Sequence, residues 1–387
     1  MTTNLTRRDA LKLTSLSAAA TVLGVPHSTS AAPTAVIEST DVISRQPAYY
    51  HGWPTLARRS NGELLLVCSG GRESHVCPFG RVELMRSHDD GRNWTWPRVL
   101  MDGSIDDRDA GIVETSQGTI LVTTFTSLAY EPALKKAESG ASSWEKERLA
   151  SWQGVHNRLS DEQRQAELGV WMIRSTDGGV TWSSRYDCLV DSPHGPIQLA
   201  DGRLLYAGKD LWRSGRVGVC ESSDDGATWS WLADIPVGPG DDAQHYHELH
   251  AVETGDGRIV VHIRNHNKRH ERETLQTESS DGGRTWSEPH SIGVWGLPSH
   301  LLRLDDGRLV MSYGYRRRPF GNQARLSSDH GRTWSEPLTI SSDGPGGDLG
   351  YPSTVQIVDG QLLTVWYELL KGSNRAVLRQ ARWRLDG

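Results

Sequence analysis

The sequence predicts an all-β protein, a six-bladed β-propeller with a helical insertion in blade two. Three observations carry that expectation. Six apolar runs each follow a glycine turn, at Gly62, Gly118, Gly202, Gly257, Gly307 and Gly360, and each is preceded by another strand-like run. Five copies of Ser-x-Asp-x-Gly-x-(Thr/Asn)-Trp begin at Ser87, Ser175, Ser222, Ser279 and Ser327. Their spacing, mostly about 50 residues, marks one small unit built several times. The composition, 40 Gly and 15 Trp against 3 Phe in 387 residues, suits a turn-rich all-β chain. Six inner hairpins with outer pairs make six four-stranded blades.

Taken in order, residues 1–32 read as a twin-arginine-type signal peptide. Thr6-Arg7-Arg8-Asp9-Ala10-Leu11-Lys12 precedes a small-residue apolar run to about Val25, with cleavage expected near Ala31 or Ala32. The mature chain is therefore expected in a bacterial periplasm or outside the cell, with the propeller over residues 40–387. No later apolar stretch is long enough to cross a membrane, so no integral membrane segment is expected in the mature chain. A formal charge of -6 argues against a nucleic-acid partner. Four cysteines are too few for a disulfide framework. The repeated phrase reads as a tight turn, in which Asp bonds nearby backbone N–H groups, Gly supplies positive φ and Trp packs the turn on the sheet. Five equivalent aspartates on five separate units cannot share one site, so they are structural. The last blade lacks the phrase; RAVLRQARWRL is expected to form its outer pair. Residues 127–168, charged and helix-favouring, interrupt blade two between its second and third strands. A connection of that length carries function or forms a lid.

Registering the hairpins on their turn glycines locates a site. The innermost strands open on Trp53, Asp109, His194, Glu248, His300 and Tyr351. The second strands close on Arg72, Ser127, Lys209, Arg264, Arg316 and Glu368. Both sets lie at the end of the sheet opposite the turn glycine and converge on the propeller axis. The insertion is expected on this funnel face and the repeated phrases on the other. Clustered cations imply an anionic ligand, because Arg grips carboxylates through two parallel bonds. Tyr351 near Glu248 would be an activated phenol, with nearby arginines favouring phenolate. His245, His247 and His250 have metal-like spacing, but on a strand only the first two share a face. No metal and no cofactor are expected.

The repeated phrase is the Asp-box, or BNR repeat, and the chain resembles the sialidase superfamily over nearly all of its mature length. YHELHAVETGDGRIVVHIRN resembles that family's Glu-strand-turn-strand-Arg segment, which implies Glu248 as general-base partner and Arg264 as a carboxylate-binding arginine. YGYRRRPFGNQARLSSDHGRTW is similar to the segment carrying a further arginine, here Arg316, with Arg317 as the alternative. LGYPSTVQIVDGQLLTVWYE is similar to the nucleophile strand, implying Tyr351 as nucleophile and Glu368 as the carboxylate orienting the arginines. Two positions depart from the family. Gly52 stands where it has the first arginine of a carboxylate clamp, and Arg72 or Arg81 is the expected replacement. The loop GGRESHVCPFGR, where its acid/base Asp belongs, offers Glu73 and His75, with Asp109 a further candidate. The resemblance implies an exported exo-glycosidase that hydrolyses an acidic sugar with retention through a tyrosine nucleophile. Arg264, Arg316, Glu368, Arg72, His194, His300 and Trp53 are the expected substrate contacts. Alternatives are a propeller polysaccharide lyase or hydrolase acting on uronic-acid glycans, and a non-catalytic glycan-binding propeller.

Overall fold

The structure, a computed structural model, describes residues 33–44 and 46–386; the expected signal peptide lies outside them. The described chain forms six antiparallel four-stranded sheets. Blade one shows the plan, with Tyr50–Arg58 innermost, then Leu64–Arg72, Arg81–Ser87 and Arg98–Met101. In blade two, helices α1 (Glu131–Glu138), α2 (Lys146–His156) and α3 (Asp161–Ala166) follow the second strand and precede the third, as the sequence predicts. Among the described residues no helix is long and apolar enough to cross a membrane.

Blade six corrects the sequence reading. The run expected to fold as an outer pair is one strand, Ala376–Asp386, since nothing within it makes a turn. The outermost strand is Thr34–Val42, which pairs with it antiparallel from Thr34 opposite Asp386 to Val42 opposite Arg379. The propeller thus begins before residue 40, and the first strand closes the ring by joining the last.

The apolar runs are continuous rather than alternating because both faces of each blade are covered by neighbours. Leu64, Leu66 and Cys68 pack with Leu363, Val365 and Tyr367 of blade six. Leu65 and Val67, on the opposite face, pack with Ile112, Ile120 and Val122 of blade two. Each fully buried aliphatic contributes about 1.5–3 kcal/mol relative to exposure. All four cysteines are free and buried, Cys68, Cys188 and Cys220 in such layers and Cys77 against the helical insertion.

The five boxes share one geometry. The Ser hydroxyl donates to the Asp carboxylate at 2.8 Å in every copy. That carboxylate accepts a backbone N–H four residues on, at 2.9 Å. Threonine hydroxyls and backbone N–H groups hold Asp177 and Asp281 well below the usual carboxylate range. The residue before the box glycine also has positive φ, and its carbonyl accepts from an arginine of the preceding blade. The pairs are Arg382 to Asp90, Arg86 to Gly178, Arg174 to Asp225, Arg203 to Gly282 and Arg258 to His330. The boxes therefore fasten blades one to five each to the blade before it.

Beneath the funnel the axis is filled by His194, His250 and His300. Their rings lie 4.6–5.2 Å apart, with His250 stacked on His300. Leu301 N–H donates to His250 Nδ1 at 2.9 Å, so that ring carries its proton on Nε2. Burial holds all three well below the ordinary histidine pKa, His300 at about 3. In the unfolded chain each titrates near 6.5. Below that pH the unfolded state gains protons that the native state refuses, so each histidine withdraws about 1.4 kcal/mol per pH unit, down to its folded pKa. His300→Gln is expected to gain about 2 kcal/mol relative to wild type between pH 7.5 and pH 5. Urea unfolding of both proteins at the two pH values measures this.

Candidate active site

The funnel floor is built by one backbone device used four times. In blades one, two, four and six the innermost strand slips register near the axis, between Gly52 and Thr55, Arg108 and Gly111, His247 and His250, and Gly350 and Ser353. Within each bulge stands a non-glycine residue at positive φ: Trp53 (52°), Asp109 (44°), Glu248 (43°) and Tyr351 (52°). A bulge re-aims a side chain out of the alternating pattern, here toward the axis. Four of the six strand openings marked by phase in the sequence are thus the residues in this conformation.

Tyr351 donates its hydroxyl proton to Glu248 Oε1 at 2.5 Å. Arg264 Nη1 donates to both Glu248 oxygens at 2.6 and 2.5 Å and to Tyr351 Oη at 3.0 Å. Burial disfavours ionisation of Glu248, but Arg264 outweighs it and holds the carboxyl below its usual range. Burial, followed by the Glu248 charge, pushes the Tyr351 phenol well up. The resting state is therefore carboxylate, guanidinium and neutral phenol. Arg316 lies 5.8 Å from the Tyr351 ring centroid; its Nε donates to Leu349 O at 2.9 Å, and its terminal nitrogens make no hydrogen bond with the described residues. Asp109 is buried beside them. Desolvation, then the Glu248 charge, raises its pKa to about 7. Asp191, which the phase argument missed, is pushed up by burial and then by Asp109 and Glu248. Blade three's inner strand is only Ile197–Gln198, and the irregular segment before it defeats counting by period.

Blade one explains the missing arginine. A Cβ on Gly52 would sit 3.1 Å from Tyr50 Cε1, and the Tyr50 hydroxyl donates to Asp348 at 3.0 Å. The space beside Tyr351 is taken by Trp53, whose ring lies 6.4 Å from that of Tyr351 and between the guanidinium groups of Arg72 (4.8 Å) and Arg108 (4.5 Å). Trp53 is 1% exposed and forms a packed wall instead of an open sugar platform. Arg72 cannot replace the clamp: it is fully buried and bonded through both terminal nitrogens to Asp106, at 2.6 and 2.9 Å. Arg81 is paired with Glu83.

His75 packs edge-on against Trp53 at 5.0 Å, and its Nδ1 lies 2.9 Å from Asp348 Oδ1. Tyr50 and Tyr367 also donate to Asp348. Burial opposes ionisation of Asp348, but the bonds from His75 and the tyrosines outweigh it and keep the carboxyl below its usual range. The carboxylate fixes the His75 proton on Nδ1 and leaves Nε2 without a hydrogen bond among the described residues.

Several expected site residues lie elsewhere. Glu73 accepts from Trp152 Nε1 at 2.7 Å and pairs with Arg148 at 2.5 Å, both on α2, so it anchors the insertion instead of supplying acid/base chemistry. With Tyr130, Leu134 and Trp152 packed on Cys77, the insertion braces the His75 loop and is not a lid over the axis. Glu368 pairs with Arg379 of the last strand, and its hydrogen bonds reach neither Arg264 nor Arg316. His194 and His300 lie below the floor, where they line an axial channel of about 360 Å³ on the Asp-box side.

With this geometry, the comparisons with known proteins agree on the fold. The family model described as "BNR repeat-like domain" matches residues 141–364. No curated protein matches the chain. Among solved structures, a protein of unknown function from Dyadobacter fermentans superposes with a TM-score of 0.71 at 22% identity, covering 91% of this chain and 99% of that one. The Hadza microbial sialidase Hz136 gives 0.61 at 20% identity, covering 86% and 65%. The intramolecular trans-sialidase from Ruminococcus gnavus gives 0.63 at 13% identity, covering 87% and 94%.

The raised Asp109 pKa has a thermodynamic consequence. Between its unfolded value, near 4, and about 7, the native state keeps a proton that the unfolded state releases. Wild-type stability contributed by this group is full below pH 4 and declines as pH rises to 7. Asp109→Asn lacks the effect and is expected to gain roughly 2–3 kcal/mol on wild type between pH 5 and pH 7. Urea unfolding at the two pH values checks the sign.

Proposed function

The chain belongs to the BNR repeat-like family within the sialidase superfamily, and on that premise we propose that it is an exported retaining glycoside hydrolase acting on an acidic sugar, sialic acid or a relative. The sialidase-like propeller supports a glycosidase-like role at the family level. The observation that carries the finer reading is the Tyr351–Glu248–Arg264 hydrogen-bonded trio at the floor of the funnel. A neutral phenol does not repel an anionic sugar as a carboxylate nucleophile would.

In the proposed reaction Tyr351 Oη attacks the anomeric carbon while its proton passes to Glu248. Arg264, 3.0 Å away, steadies the developing phenolate charge. His75, oriented by Asp348, delivers a proton from Nε2 to the departing oxygen. A water then attacks the same carbon, His75 takes its proton, and Tyr351 leaves and recovers its proton from Glu248. Asp109, protonated up to about pH 7, adds no second negative charge beside Glu248. His75 is favoured as acid/base over Glu73, which is tied to α2, and over Asp109, which is sunk beside Glu248.

Incubation with a fluorinated sialic acid is expected to label Tyr351, with the adduct located by peptide mass spectrometry. Tyr351→Phe should abolish turnover while the melting transition stays within a few degrees of wild type. Formation of an unsaturated uronate chromophore without labelling would sink this reading in favour of the lyase. His75→Gln is expected to lower kcat by about 10²–10⁴-fold on alkyl glycosides. On aryl glycosides, whose leaving groups need little protonation, the loss should be far smaller. Equal losses on both would remove His75 as the acid.

A further inference from the structure

The five boxes give the chain an internal comparison: what all copies share serves the turn, and what single copies add needs another reason. Box one departs at two places. In the other four copies a threonine hydroxyl donates to the box aspartate at 2.6 Å. Box one has Asn93 there; its Nδ2 makes the same bond, to Asp89 at 2.7 Å, and its Oδ1 accepts nothing among the described residues. Two residues past the box tryptophan the other copies have Ser184, Trp231, Glu288 and Glu336, and box one has Trp96. Trp231 is covered: the Arg216 guanidinium lies 4.2 Å from its ring centroid, and its Nε1 donates to Asp234 at 3.1 Å. Trp96 is 66% exposed, and its Nε1 makes no hydrogen bond with the described residues.

Trp96 lines a cavity of about 600 Å³ at the seam between box one and the outermost strand of blade six. Small-molecule sites span about 300–1,000 Å³. The wall behind it is fixed, because Trp94 Nε1 donates to Gln380 Oε1 at 2.9 Å and Gln380 Nε2 donates to Gly91 O at 2.7 Å. Asp41, Arg92 and Asn93 line the same cavity, and each has polar atoms to spare. Asp41 accepts only from Ser39, on one oxygen, and Arg92 uses only Nη1, on Asp89 O. One carboxylate, one guanidinium and one amide carry no net charge, unlike the arginine-rich funnel. Flat polar groups that can each bond a pair of hydroxyls, set around an open indole face, match a pyranose ring. A protein partner would want a contiguous apolar patch, whereas here one ring stands beside Val42, which is 39% exposed.

We infer that this seam is a glycan-binding site, separate from the funnel, in which Trp96 is the platform for a neutral sugar ring and Asp41, Arg92 and Asn93 take its hydroxyls. None of its lining residues belongs to the funnel. The site would hold a second part of a long or branched glycan while the funnel engages an end. The choice of a sugar as ligand rests on the glycosidase-like reading, but no step of the hydrolytic mechanism enters it.

NMR titration of the wild-type protein with lactose, maltotriose and triacetylchitotriose tests it, and at least one should bind. Trp96→Ala should weaken that sugar at least about tenfold, and Trp96→Phe by less. Trp231→Ala, at the matching place in box three, and Tyr351→Phe, in the funnel, should each change the affinity less than about twofold. Trp96→Ala should label at Tyr351 to the same extent as wild type, so the site and the hydrolytic mechanism can fail independently. No binding of any of the three sugars to wild type, unchanged affinity in Trp96→Ala, or an equal loss in Tyr351→Phe would each overturn the assignment. Self-association of the wild type in sedimentation, abolished by Trp96→Ala, would give the seam to a second copy of the chain and overturn it as well.

Discussion

The site depends on one backbone constraint, the left-handed residue inside a bulge of the innermost strand. A regular strand directs alternate side chains into the two neighbouring blades and none at the axis. The bulge breaks that alternation and turns Trp53, Asp109, Glu248 and Tyr351 inward. Each such conformation costs about 1–3 kcal/mol and persists only where its surroundings enforce it. Here the enforcement is close packing across the axis. A Cβ on Gly111 would lie 2.5 Å from Gly195 N, so blades two and three meet backbone to backbone next to Asp109. The apolar layers between blades and the arginine-to-box bonds supply the stability that tolerates four such strains.

Charge is distributed unevenly around the floor that results. Blades four and five present guanidinium groups, whereas blades one and six present stacked aromatic rings with His75 and Asp348 at their edge. Asp109 and Asp191 sit between, and burial first, then the neighbouring carboxylate charges, push both toward their neutral forms. A ligand with a negative group at one end and a departing oxygen at the other is matched by this polarity. The same polarity fixes which end of the ligand faces which blade.

Much of this was legible in the sequence because it is periodic. Turn glycines gave the blade number, and counting back from them reached all four bulge residues, since a bulge displaces a side chain without moving it far along the chain. Counting failed where the period fails. Asp191 precedes a two-residue strand, and His194 and His300 landed one level below the floor. Contacts between distant segments were not legible either. Nothing in GGRESHVCPFGR says that Glu73 belongs to Trp152 and Arg148 while His75 belongs to Asp348. Glu368 has the family's position, yet the strand beside it supplies Arg379, a nearer cation than any in the funnel. The closing strand Thr34–Val42 carries no box and no turn signature, so its partner at the far end of the chain is invisible to local patterns.

That closing strand also determines how the molecule bears load. Thr34 faces Asp386, so the two ends of the folded ring emerge side by side at one end of a single antiparallel pair. Tension applied between the ends peels this ladder one bond at a time, the weakest mechanical arrangement that a strand pair has. A surface tether at either end alone avoids that geometry. Because the pair is the outer rim of blade six, such a tether leaves the axis and its funnel open to solvent.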